Sequence, residues 1–99
     1  MEPKPVPNPL ADILHRHCNV NAYTANWSEA LRKELFAPGK SEVEMAFRHQ
    51  LRDAILYDTI GPKEYEQLTG EDFDTRQDLK KWLSLLWKEI YSNRPVSDD

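Results

Sequence analysis

The chain reads as an all-α protein, a compact bundle of four to five helices. Three observations predict it. Apolar residues recur at helical spacing in every long segment, and no stretch alternates apolar and polar residues over strand length. Val, Ile and Thr, the residues that favour strands, are few. Each apolar run is also preceded by a capping residue or followed by a Gly or Pro breaker.

Residues 1–8 hold three prolines and read as a flexible, extended leader. A proline-rich ligand for a recognition domain needs more spacing information than eight residues give. Asn8-Pro9 suits a helix start, Asn capping and Pro in the first helical position, with Leu10, Ile13 and Leu14 on one face and an end near Cys18. Asn19 to Asn26 is a polar connection. Asn26-x-x-Glu29 then opens a second amphipathic helix over 26–36, carrying Trp27, Leu31 and Leu35, and Pro38-Gly39 stops it.

The stretch Ser41 to Ile60 is the longest helical reading and organises the rest. It opens with Ser41-x-x-Glu44, the spacing of a capping box, and closes at Gly61-Pro62. Val43, Ala46, Phe47, Leu51, Ala54 and Tyr57 share one broad face, while Met45, His49 and Leu56 share nearly the opposite one. Two apolar stripes predict a central helix or one that also meets a partner. Residues 62–69 form a short helix ended by Gly70, and Phe73 anchors an otherwise acidic loop. Asp74 or Thr75 caps the last helix, 75–92, whose apolar arc is Leu79, Trp82, Leu83, Leu86, Trp87 and Ile90. Residues 9–92 therefore form one domain, and 93–99 read as a flexible acidic tail.

Composition narrows the function classes. With 39% hydrophobic residues and ten aromatic side chains, three Trp, four Tyr and three Phe, the chain can bury enough surface to fold. The net charge of −4 disfavours broad binding to nucleic acid or anionic lipid. One cysteine allows no intrachain disulfide, the N-terminus has no apolar signal core, and no run approaches the roughly 20 residues that span a bilayer. The expectation is a cytoplasmic protein without membrane contact.

No set of reactive side chains stands out. His15, His17, Cys18 and His49 are the soft metal ligands, but His15 and His17 point apart on a helix, and zinc needs about four converging donors. Cys18 beside His17 lacks the third group that would orient a base. Asp72, Asp74 and Asp78 resemble a calcium loop only until Arg76 and Gln77 fall where Asp or Asn and the invariant Gly belong. No glycine cluster cradles phosphate. The expectation is a non-enzyme with no metal and no cofactor.

What remains is contact with a protein. Met45, His49, Leu56, Leu85, Trp87 and Tyr91 lie off or at the edge of the apolar arcs and are of the types that anchor interfaces. They predict a small binding module, a subunit, adaptor or inhibitor, whose partner is another protein or a second copy of the chain. In an immunity-protein or antitoxin version, Glu71, Asp72 and Asp74 with the acidic tail would complement a basic partner. The alternative is a nucleic-acid-binding regulator using Arg48, Arg52, Lys80 and Lys81, diluted by Glu44 and Asp53.

Overall fold

A computed structural model describes residues 6–19, 26–92 and 94–96. Among them five helices and no strand occur: α1 Leu10–His17, α2 Trp27–Leu35, α3 Ser41–Tyr57, α4 Pro62–Thr69 and α5 Arg76–Tyr91. The expected all-α bundle is what the chain forms. α3 packs against α1, α2 and α5, while α4 packs on α1. The core draws on every helix. Leu10, Ile13 and Leu14 of α1, Leu31 and Leu35 of α2, Phe47 and Leu51 of α3, Tyr65 of α4, and Leu79, Leu83 and Leu86 of α5 are all buried. Each side chain contributes about 1.5–3 kcal/mol by leaving water.

The helix starts differ from the expected ones. Ser41 is the first residue inside α3 rather than its cap; Lys40 holds that position, and no side chain closes the helix start. The N–H of Glu44, which a Ser41 cap would have bonded, donates to Lys40 O at 2.9 Å, and the Glu44 carboxylate turns to Arg48 and Tyr91. Asn26 occupies the N-cap of α2 without a side-chain bond, and Pro9 rather than Asn8 precedes α1. The N–H of Leu10 is satisfied from across the bundle, donating to Gln50 Oε1 of α3 at 3.0 Å. Thr75 does cap α5, its hydroxyl accepting from the N–H of Asp78 at 3.1 Å.

α3 ends at Tyr57, three residues before the expected Ile60. Asp58 takes the left-handed conformation, φ 53° and ψ 42°, which an aspartate tolerates better than most residues and which closes the helix. Its carbonyl accepts from Arg76 Nη1 at 3.2 Å. Ile60 then turns inward as a buried residue of the connection. Gly61 is extended, so it is not the residue that makes the turn. Gly70 at φ 79° ends α4 as expected, and Phe73 packs edge-on to Tyr65 at 5.6 Å.

Both ends of the domain reach further than the expected boundaries. Val6 and Val96 pack against the core. Asn8 O accepts from Gln50 Nε2 at 2.7 Å, and Arg94 O accepts from Trp87 Nε1 at 2.7 Å. The remaining parts of the leader and tail, residues 1–5, 93 and 97–99, lie outside the described residues. So do residues 20–25, most of the connection from Asn19 to Asn26.

Candidate functional site: the groove at the turn between α2 and α3

α2 stops at Leu35 because Pro38 cannot continue it and Gly39, at φ 82°, reverses the chain. Phe36 falls on this turn, past the last residue that the core can cover, and is 53% exposed. The first turns of α3 then rise beside it. Between them lies a groove of about 490 Å³, lined by Phe36, Ala37, Pro38, Met45 and the pair Glu44 and Arg48, with Leu35 at its base. Met45 is 51% exposed.

Tyr91 at the end of α5 stands behind the groove. Its ring meets Phe36 edge-on at 6.1 Å and Trp87 at 4.6 Å. Its hydroxyl donates to Glu44 Oε2 across a long 3.5 Å. Burial, reinforced by the Glu44 charge, holds the phenol protonated well beyond its usual range. The lining is thus mainly apolar, with Tyr91 in contact with it through Phe36, and its charged members are Glu44 and Arg48.

The six residues expected to bind a partner do not form one surface. Met45 lines the groove and Tyr91 abuts it. Trp87 is corrected from surface anchor to core residue, at 4% exposure. The physical reason is that the chain after α5 folds back, so the indole finds its hydrogen-bond partner in Arg94 O. His49 is half-buried on the α3 ridge next to Met45. Leu56 is exposed on the same ridge but about 16 Å further along the axis, at 1.5 Å per residue. Leu85 is exposed on the side of α5 turned away from Trp87.

The cations named for nucleic-acid contact do not make one field either. Arg48 pairs with Glu44 at 3.7 Å and Arg52 with Asp53 at 2.9 Å, while Lys80 and Lys81 are exposed on α5. The acids expected to meet a basic partner begin in the loop before α5, some 20 Å along that helix from Tyr91, at 1.5 Å per residue.

The reactive side chains are dispersed. Cys18 is fully buried, and burial pushes its thiol up to about 12, so it stays protonated at neutral pH. His15 Nδ1 lies 2.9 Å from Leu68 O, and His17 Nε2 lies 3.2 Å from Glu34 Oε1. Among the described residues no three His, Cys, Asp or Glu side chains gather as a metal site. A second, larger groove of about 710 Å³ is lined by Asn8, Pro9, Ala11, Asp12, His15 and Leu68.

Sequence reasoning missed Phe36, Glu44 and Arg48. The signal for Phe36 was its place directly before Ala37-Pro38-Gly39, where an aromatic residue has left the helix and must find cover elsewhere. Spacing places Glu44 in a cap and beside Arg48 on a basic face that it dilutes, and neither reading brings the pair to Phe36 and Met45. No described helix is long and apolar enough to cross a membrane. Compared with protein families, curated proteins and solved structures, the chain matches none.

Proposed function

We propose that the protein is a small, non-enzymatic binding module that engages another protein through the groove at the turn between α2 and α3. The observation that carries this reading is the pairing of Phe36 and Met45, both about half exposed, on the two walls of one apolar groove. A large aromatic and a methionine held in water cost free energy that a partner's side chain would recover. Exposed apolar residues scattered singly need no explanation, but two that face each other across a concave site do. Tyr91 and Trp87 behind them keep the back wall stiff.

The nucleic-acid alternative has less support, because Arg52 is closed on Asp53, Lys80 and Lys81 belong to a different helix from Arg48, and the net charge is −4. The test uses Met45→Ser and Phe36→Ser, together and singly. Neither side chain is in the core, so unfolding midpoints stay within about 0.5 kcal/mol of the parent. Association with the partner captured from the native source drops at least tenfold. If the partner is a second copy, the loss shows as a shift to monomer in sedimentation. Retained association in the double variant overturns the reading.

A further inference from the structure

The groove carries a feature that apolar contact alone does not require. Arg48 reaches into it with its side chain 17% exposed, and Glu44 beside it is 15% exposed. Two charges this far out of water ordinarily survive only in close, hydrogen-bonded pairs. These two are 3.7 Å apart at their closest, Nη1 to Oε1. Among the described residues Arg48 makes no hydrogen bond at all. Its Nε and Nη2 edge thus makes no hydrogen bond to a described residue, in an apolar setting where a charge-assisted bond is strong. Contrast Arg52, four residues on, whose guanidinium donates twice to Asp53 at 3.1 and 2.9 Å. Contrast also Arg16, which closes a fork on Glu34 with two bonds of 2.5 Å. In this chain an arginine with an acid in reach closes on it, and Arg48 does not.

We infer that the groove binds an acidic peptide segment in which a large apolar side chain stands next to a carboxylate. The apolar side chain lies between Phe36 and Met45. The carboxylate takes the open edge of Arg48, while Glu44 keeps Nη1 and holds the guanidinium in place. A guanidinium has two hydrogen-bonding edges, so it can serve both acids at once. The acidic loop of the chain itself, Glu71 to Asp74, is at the far end of α5 and adds no repulsion at the groove. This inference rests on the groove being the binding site and adds the chemistry of its occupant.

The probes are two capped pentapeptides, one with Leu-Asp at its centre and one with Leu-Asn, of equal size and differing in one charge. The readout is the methyl signal of Met45, one of only two methionines, assigned by Met45→Leu. The Leu-Asp peptide shifts this signal and binds about tenfold tighter than Leu-Asn, the worth of one charged hydrogen bond. Arg48→Gln removes the preference, so that Leu-Asp binds no tighter than Leu-Asn to that variant. Arg48→Lys, which keeps the charge but loses the fork, falls between. Equal affinity of the two peptides for the parent protein overturns the inference while leaving the groove itself in place. No Met45 shift with either peptide also overturns it, and association with the native partner then decides separately on the groove. A single-stranded DNA dodecamer that shifts Met45 more strongly than Leu-Asp assigns Arg48 to phosphate instead. A shift that tracks protein concentration without peptide assigns the groove to a second copy. Both results overturn the inference.

Discussion

Two glutamates respond to their surroundings in opposite senses. Glu34 accepts both bonds of Arg16 and one from His17, and the guanidinium draws its carboxyl down to about 2. The folded protein thus prefers Glu34 charged. That preference adds stability at every pH above the ordinary 4.5, and it fades as pH falls from 4.5 through 2. Glu71 is the reverse. Its Oε2 is shut off from solvent with no hydrogen-bond partner among the described residues, and burial raises its pKa. The folded state prefers Glu71 protonated, so its stability falls as pH rises past the ordinary value towards the raised one. Urea unfolding between pH 2 and 7 separates them. Glu34→Gln is less stable than the parent at pH 7, and the gap narrows steadily from pH 4.5 down to pH 2. Glu71→Gln is more stable at pH 7, since an amide fills the site without the cost of a charge, and the gain shrinks in acid. A Glu71→Gln that loses stability at pH 7 would show that the carboxylate is in fact well solvated.

At the scale of the element, the caps separate what the sequence could tell from what it could not. Thr75-x-x-Asp78 and Ser41-x-x-Glu44 look alike in sequence, yet only the first operates as a cap. The difference is long-range. The carboxylate of Asp78 makes no ion pair or hydrogen bond with a described residue, while that of Glu44 is opposite Tyr91 of a different helix. Thr75→Ala therefore costs about 1 kcal/mol. Ser41→Ala costs at most a few tenths, because its hydroxyl closes nothing. Thermal unfolding of the two variants checks this, and equal losses would contradict it. The same division runs through the fold. Helix positions, the Gly70 stop and the Phe73 anchor follow from spacing and backbone preference, which are local. The end of α3 at Asp58 and the burial of Trp87 depend on Arg76 and Arg94, residues whose positions only the folded chain sets. The groove was half legible. Met45 and Tyr91 stood off the apolar arcs, but Phe36, Glu44 and Arg48 join them only once α2, α3 and α5 meet.

At the scale of the molecule, the chain closes its bundle with short segments at both ends, and the C-terminal one matters to the groove. After α5, Ser92 takes φ 53° and ψ −115°, a conformation that a non-glycine residue rarely adopts, and the chain reverses. Arg94 N then donates to Tyr91 O at 3.1 Å, Arg94 O accepts from Trp87, and Val96 rests on the core. Such a backbone persists only when its surroundings hold it, and here the indole and Val96 do so. Cutting the chain after Ser92 removes both. The Trp87 N–H loses its partner, which costs about 1–3 kcal/mol if the group stays buried. The lower-cost response is for Trp87 to move outward, and Tyr91, stacked on it at 4.6 Å, moves with it. The truncated chain should therefore unfold at lower urea, and in a Trp27→Phe, Trp82→Phe background its Trp87 emission should shift to the red. Its groove, with the Phe36–Tyr91 contact loosened, should also bind more weakly than that of the full chain. Unchanged emission and unchanged binding would mean that α5 alone fixes Trp87 and that the segment after it is an ornament of the fold.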